Sequence, residues 1–244
     1  MAEDPRMLSA ARALARSHRL VVFTGAGVSK ESGIATFREP ETGLWAQYDP
    51  MELATYEAYV RQPELVWSWY EHRFGAAAAA APNPGHIAIA ELERLLPRVS
   101  VVTQNIDDLH QRAGSSDVIE LHGSMLRFKC LRGRHTGFVL DDFSGQDDKP
   151  PRCPKCGDLL RPDVVWFGEA LPLRALAAAE EVARACDLML VVGTSGVVYP
   201  AAGLARMAAG KVVIVNPHPS DLDDAADAVL CGTAAQLLPQ LLED

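Results

Sequence analysis

The sequence predicts an α/β protein whose core is a doubly wound parallel sheet, and three observations lead to that fold class. Leu20 to Phe23 form an unbroken apolar run, which is typical of a strand buried on both faces of a parallel sheet. From residue 99 onward, similar apolar runs alternate with helical stretches. Between residues 128 and 157 the alternation stops, and the sequence turns polar and rich in proline. We therefore expect a Rossmann-like sheet with a smaller inserted domain.

The remaining elements follow from the same patterns. Apolar runs predict further strands at 99–103, 118–121, 188–192, 212–215 and 228–230. Helical spacing or composition predicts helices at 5–17, 86–96, 172–185, 201–209 and 234–242, and a mostly helical segment at 41–81. The predicted Rossmann-like domain comprises residues 1–38, 84–127 and 158–244. The predicted small domain comprises a helical part at 39–83 and a metal-binding part at 128–157.

Composition indicates a globular protein and argues against a nucleic-acid-binding or membrane-spanning one. The 244 residues are 48% hydrophobic, which suits one α/β domain with an insertion or two modest domains. The net charge of -9 argues against a general nucleic-acid or anionic-membrane surface and suits a partner that carries lysine. The first ten residues contain no apolar segment, and no run approaches the roughly 18 residues of a membrane span. We expect a cytoplasmic protein, and among oligomeric states a monomer.

A turn of small residues follows the first strand. Gly25, Ala26 and Gly27 allow close approach of the backbone to a ligand, and a phosphate group fits there. The usual dinucleotide fingerprint places its third glycine where this chain has Lys30. No second strand with a terminal acidic residue follows within about 20 residues, which argues against an ordinary nicotinamide dehydrogenase. Taken alone, the turn could equally be a tight strand-to-helix connection.

Small polar residues follow several of the predicted strands. They are Thr103 to Asp108, His122, Gly193 to Ser195, and Asn216 to His218. Each group alone is more often a turn, a helix cap or a structural histidine. Because the carboxyl ends of parallel strands lie at one edge of the sheet, their recurrence favours a nucleotide bound across that edge.

The cysteines predict a structural metal site. Cys153 and Cys156, separated by Pro-Lys and followed by glycine, resemble a zinc knuckle. Cys130 lies upstream, but Gly133 stands where a fourth cysteine would be expected. The fourth ligand could be His135, an acidic side chain or water. The alternative is an eroded site that holds no metal.

The motifs together resemble one protein family. GAGVSKESGIATFR, TQNIDDLH, ELHGS, RPDVVWFGE and GTSGVVYPA are similar to motifs of the sirtuins, the NAD-dependent protein deacylases. The resemblance covers nearly the whole chain in the family's order. Tyr70 and Arg73 are similar to the Tyr-x-x-Arg signature of the branch that removes succinyl and malonyl groups, and the bacterial members of that branch are the most similar.

The resemblance implies roles for individual residues. It implies His122 as the general base, Asn105 as a second catalytic residue, and a structural zinc held by Cys130, Cys153 and Cys156. The residues that it implies for NAD binding are Gly25, Ala26, Gly27, Phe37, Arg38, Gln104, Asn105, Ile106, Asp107, Gly193, Thr194, Ser195, Asn216 and Ala234. His86 and His110 lie in family-like motifs and are interpreted as structural.

The resemblance also implies a substrate. Tyr70 and Arg73 share a helix face, where a guanidinium and a phenol suit the carboxylate of a succinyl or malonyl group. Val165, Phe167 and Gly168 are expected to pair with the backbone of an acylated peptide. The expected activity is NAD-dependent desuccinylation and demalonylation of protein lysine, with deacetylation alongside, yielding nicotinamide and O-acyl-ADP-ribose. The alternatives are a mono-ADP-ribosyltransferase and a non-catalytic module that binds NAD or ADP-ribose.

Overall fold

The computed structural model describes residues 5–35, 47–143 and 145–243. The predicted parallel sheet is present and has six strands in the order β3-β2-β1-β6-β7-β8. These strands are β1 (Leu20–Thr24), β2 (Val99–Thr103), β3 (Val118–Glu120), β6 (Leu188–Val192), β7 (Lys211–Asn216) and β8 (Ala228–Cys231). The helices are α1 (Pro5–Ala15), α2 (Pro50–Leu53), α3 (Tyr56–Arg61), α4 (Pro63–Ala79), α5 (Pro84–Leu95), α6 (Leu109–Ala113), α7 (Leu173–Ala185), α8 (Gly203–Arg206) and α9 (Ala234–Gln240).

Strand β1 is the centre of the sheet, and all five of its residues are buried. It pairs in parallel with β2 on one side and with β6 on the other. The chain therefore winds outward in opposite directions from the β1–β6 junction, where open α/β sheets place their ligand sites. The register aligns Thr24 with Thr103 and with Val192, so the carboxyl ends of the central strands lie at one level.

Alternate side chains of the strands pack into two helical layers, as the twofold repeat of a strand requires. Val22 and Leu190 face the layer that contains residues of α1, α5 and α9. Phe23 and Val191 face the opposite layer, which contains residues of α7 and α8. This two-sided burial is why the strands appear in the sequence as continuous apolar runs.

A small module contains α2 to α4 and a two-stranded antiparallel sheet of β4 (Gly123–Cys130) and β5 (Leu160–Val164). One aromatic and aliphatic cluster fills its interior, with Tyr59, Trp69, Tyr70 and Trp166 among its buried members. A second cluster lies beside the cysteines and contains Trp67, Phe128, Phe143, Leu160, Cys130 and Cys153. The predicted division into two domains stays a prediction, although β4 crosses the expected boundary at residue 128.

The structure departs from the sequence prediction in one helix and in the small antiparallel sheet. The helix expected at 201–209 is reduced to the single turn of α8. Strands β4 and β5 were not predicted, because β4 alternates basic with apolar residues over a short span and β5 contains Pro162. In the described part of the chain, no helix is both long and apolar enough to cross a membrane.

The two-sided core predicts a large difference between buried and exposed leucines. Leu190 is 2% exposed in a central strand, whereas Leu95 is 59% exposed at the end of α5. Leu190→Ala should lower the free energy of unfolding by about 2–5 kcal/mol, because it removes buried methyl groups and leaves a cavity. The matched change Leu95→Ala should alter it by less than about 0.5 kcal/mol. Urea unfolding of both variants measures the difference, and equal effects would contradict the assigned core.

Candidate functional site

A cavity of about 560 Å³ opens at the carboxyl ends of β1, β2, β6 and β7. Its walls come from the loops that follow those strands, from α4 and from the segment after β5. A cavity of this volume is typical of cofactor and small-molecule sites. The convergence of strand ends that the sequence predicted is therefore present as one continuous space.

The glycine turn after β1 forms one end of the cavity through close backbone contact. The Gly27 amide donates to the Gly193 carbonyl at 2.8 Å, and the Gly25 amide donates to Val192 at 3.0 Å. A Cβ atom on Gly27 would lie 2.7 Å from the Gly193 carbonyl oxygen, and Gly193 itself has φ +61°. These positions exclude side chains, which leaves backbone exposed to a ligand. The turn continues as a 3₁₀ helix from Ala26 to Ser32.

Behind the turn lies a buried polar network. The Ser29 hydroxyl donates to Asp107 at 2.7 Å and accepts from the Asn105 amide nitrogen at 3.1 Å. Burial raises the pKa of Asp107, while the hydrogen bonds from Ser29 and the Leu109 amide oppose that rise. Asn105 and Asp107 thus face one pocket, from the loop that follows the end of β2 at Thr103.

His122 lies in the cavity wall, two residues after the end of β3. Its Nδ1 is 2.8 Å from the Gln104 carbonyl oxygen. A carbonyl only accepts, so Nδ1 carries the proton and Nε2 is left with its lone pair. Burial lowers the pKa of His122, and the bond to Gln104 only partly offsets this. The imidazole is therefore neutral near pH 7 and able to accept a proton.

Hydrogen bonds tie the neighbouring strand ends together at the far side of the turn. The Gln104 amide donates to the Thr194 hydroxyl at 3.1 Å. The Asn216 amide donates to the Thr194 carbonyl at 3.1 Å. Together with Ser195, which also lines the cavity, these residues form the end expected for a nucleoside.

The predicted ligand-binding residues that the structure describes line this cavity, including Ala26 and Ile106, with the exception of Ala234. Ala234 is 4% exposed and packs in the core, where its atoms lie about 3.0 Å from the position of a Cβ on Gly85. It therefore contributes to packing between α5 and α9 and does not line the cavity. Phe37 and Arg38 lie outside the described residues.

Tyr70 and Arg73 of α4 also line the cavity. Tyr70 is 1% exposed and Arg73 is 8% exposed. The guanidinium of Arg73 lies 5.0 Å from the centre of the Trp69 ring. Burial raises the pKa of Tyr70 to about 12, so the phenol keeps its proton. A buried cation beside a phenol is suited to bind a carboxylate.

The segment after β5 forms another part of the cavity wall, and it contains the predicted Val165, Phe167 and Gly168. The Val165 amide already donates to the His122 carbonyl, and the Phe167 amide to Ala54, both at 2.9 Å. Pairing with an added strand would therefore have to use the other backbone groups of this segment.

The metal-site prediction gains its fourth ligand. Donor atoms of Cys130, His135, Cys153 and Cys156 all lie within 4.8 Å of one another. The His135 Nδ1 is 3.9 Å from the Cys130 sulfur and 3.6 Å from the Cys153 sulfur. Three thiolates and one imidazole fit a closed, tetrahedral zinc site. The chain turns through Gly133 at φ +67°, which brings His135 back to Cys130.

Sequence reasoning missed Trp166, which lines the cavity beside the Tyr70 hydroxyl. It also missed Glu169 and Met125 in the cavity wall. Trp166 lies inside the predicted peptide-binding segment, but its partner is 96 residues away in the sequence, and no local pattern indicates that contact.

Comparison with known proteins agrees with this geometry. NAD-dependent protein deacylase 2 of Pyrobaculum aerophilum is 52% identical over 240 residues, which cover 97% of this chain and 95% of the relative. A Sir2 homologue solved in complex with NAD is 43% identical with a TM-score of 0.89, covering 97% of this chain and 92% of the other. A Sir2 protein solved with a p53 peptide and NAD+ is 34% identical with a TM-score of 0.85, covering 97% of each chain.

The chain also matches the sequence model of a whole family. The model of the Sir2 family matches residues 25–200, a span that runs from the glycine turn to the loop after β6. The matched span contains the glycine turn, His122, Tyr70, Arg73 and the metal ligands. The resemblance to sirtuins is confirmed, and the chain belongs to the Sir2 family.

Proposed function

We propose that this chain is an NAD-dependent protein-lysine deacylase that prefers acidic acyl groups such as succinyl and malonyl and also removes acetyl. One observation carries the proposal. A single cavity joins the glycine cradle, the unprotonated Nε2 of His122, and the buried pair of Tyr70 and Arg73. Within that space a dinucleotide would contact the glycine turn and the base His122. An acidic acyl chain would contact the phenol of Tyr70 and the guanidinium of Arg73.

The residues present fit NAD. The cradle of Gly25, Gly27 and Gly193 has no room for side chains and suits a pyrophosphate. The ends of β6 and β7 would hold the adenosine half. When bound, NAD supplies an electrophilic ribose carbon with nicotinamide as leaving group, and a ribose hydroxyl that finally carries the acyl group.

The chain's own residues would position the NAD and remove a proton from its ribose hydroxyl. Asn105, held by Ser29, and Asp107 would hold the ribose and the nicotinamide amide. Nε2 of His122 would accept the proton of the ribose hydroxyl, because Nδ1 is committed to Gln104. An amide oxygen is a weak nucleophile, so holding the acyl-lysine in contact with the ribose would supply much of the rate.

The acyl preference would come from Arg73 with Tyr70. A charged hydrogen bond contributes about 1.5–3 kcal/mol, which corresponds to roughly ten- to hundredfold in affinity. Acetyl-lysine makes no such bond and would gain nothing from the guanidinium. The protein partner is a chain with an acylated lysine, and the net charge of -9 would favour basic surroundings of that lysine.

The first prediction concerns the acid pocket. Arg73→Met should lower kcat/KM for an NAD-dependent succinyl-lysine peptide by roughly ten- to hundredfold, because the carboxylate loses its charged partner. The same variant should change turnover of the acetyl peptide by no more than about twofold. Arg61→Met makes the same chemical change on an exposed part of α3 and should leave both activities unaltered. Removal of succinate by Arg73→Met at the wild-type rate would show that the pocket is wrongly assigned.

The second prediction concerns pH. Because burial lowers the pKa of His122, the imidazole should stay neutral below its ordinary value of about 6.5. The acidic limb of the kcat/KM profile for acetyl peptide should therefore lie below pH 6.5, and His122→Gln should abolish product formation. A limb centred at or above pH 6.5 would contradict the assigned environment. If labelled NAD left its label attached to the protein substrate, the activity would instead be mono-ADP-ribosyl transfer.

The third prediction concerns zinc, which we propose is held by Cys130, His135, Cys153 and Cys156. His135→Ala should weaken zinc binding by roughly a hundredfold, because one of four ligands to a site worth about 10–16 kcal/mol is lost. Zinc per chain, measured by mass spectrometry after dialysis against a chelator, should fall. His18→Ala, an exposed histidine outside the site, should keep zinc at the wild-type level. Full zinc retention in His135→Ala would contradict the donor set.

A further inference from the structure

Trp166 makes the Tyr70 hydroxyl oxygen a hydrogen-bond acceptor. The Trp166 Nε1 donates to the Tyr70 oxygen at 2.8 Å, and both residues are at most 1% exposed. An indole nitrogen only donates, so the phenol must be the acceptor in this bond. The phenolic proton is therefore left for a second partner, and among the described residues no other hydrogen bond involves this hydroxyl. Both side chains line the cavity, where that partner would be a ligand.

Trp166 is itself held by a buried ion pair. The guanidinium of Arg161 lies 3.2 Å from the centre of the Trp166 ring and is 2% exposed. It donates to both carboxylate oxygens of Glu169, at 2.5 and 2.9 Å. Glu169 in turn accepts from the Trp166 backbone amide at 2.9 Å. The ring and the backbone of Trp166 are thus fixed by one bidentate pair.

The Glu169 carboxylate of this pair is ionised near neutral pH. Burial alone would raise the pKa of Glu169, but the hydrogen bonds from Arg161 and the Trp166 amide, with the charge of Arg161, hold it below its usual value. Arg161 also donates to the Val164 carbonyl at 2.7 Å, which anchors the pair to the end of β5. The indole therefore has little freedom to turn away from Tyr70.

We propose that Trp166 is a specificity-determining positioning residue: it holds the Tyr70 oxygen as an acceptor, so that the phenolic proton is donated to the carboxylate of an acidic acyl group. The inference rests on the proposed function and adds to it. Arg73 supplies the charge for the carboxylate, and the indole sets the direction of the neighbouring hydroxyl. A residue that merely filled space would affect acetyl and succinyl substrates alike.

A double-mutant cycle tests this role. Wild type, Trp166→Phe, Tyr70→Phe and the double variant are each assayed with NAD and with succinyl or acetyl forms of one peptide. Trp166→Phe should lower the succinyl-to-acetyl ratio of kcat/KM by roughly tenfold, mainly through KM for the succinyl peptide. In the Tyr70→Phe background the same change should alter that ratio by less than about twofold, because the hydroxyl it acts on is absent.

Trp67→Phe is the matched control. Trp67 is 2% exposed and packs against Phe74 and Phe128, away from the cavity, so its replacement loses similar packing. It should lower the melting temperature and leave the acyl ratio unaltered. An unchanged ratio in Trp166→Phe, or independent effects of Trp166 and Tyr70, would overturn the inference while wild-type desuccinylation still supports the proposed function. A wild type that removes neither acyl group would overturn both.

A second measurement needs no replacement of Trp166. The chain has four tryptophans, so a ¹⁵N spectrum contains four indole N–H signals, which Trp→Phe changes at the other three positions assign by elimination. Tyr70→Phe should move the Trp166 signal upfield and speed its exchange with solvent, because its acceptor is lost. A Trp166 signal that does not respond to Tyr70→Phe would show that the bond is absent and would overturn the inference.

Discussion

The backbone contact between the turn after β1 and the turn after β6 is the constraint on which the rest of the site depends. Gly27 donates to Gly193 at 2.8 Å, and a Cβ on either residue would collide with the other turn. The two turns approach this closely only because neither residue carries a side chain. The contact places the Thr194 hydroxyl where it accepts from Gln104, and the carbonyl of Gln104 holds His122 Nδ1. The orientation of the base is thus connected to the glycine turn.

The protein also buries two histidines, whose polar rings would destabilise the core without hydrogen bonds. Burial lowers the pKa of His86 to about 4, and burial with the neighbouring His86 lowers that of His110 to about 3. Both rings are therefore neutral and act in hydrogen bonds, His110 with Thr24 and His86 with the backbone of Asn83. Buried hydrogen bonds of this kind add rigidity in a low-dielectric interior. They support the loop that presents Asn105 and Asp107, in line with the structural role expected for these histidines.

The sheet and the cavity were predictable because their signals are local. Strands buried on both faces produce apolar runs, and polar residues after each run must meet at one edge. Features set by distant contacts were not predictable in the same way. Strand β5 contains Pro162 and exists because it pairs with β4. The choice of His135 over other ligands depends on how the chain returns to Cys130 through Gly133. The resemblance implied Ala234 as an NAD-binding residue, but helix packing places it in the core.

The proposed function requires one cavity to bring a dinucleotide and an acidic acyl-lysine together beside His122. The stoichiometry of products from a succinyl-lysine peptide and limiting NAD, quantified by mass, tests it most directly. The account predicts one nicotinamide, one peptide with free lysine and one O-succinyl-ADP-ribose for each NAD and water consumed. Release of free succinate without loss of NAD would contradict it.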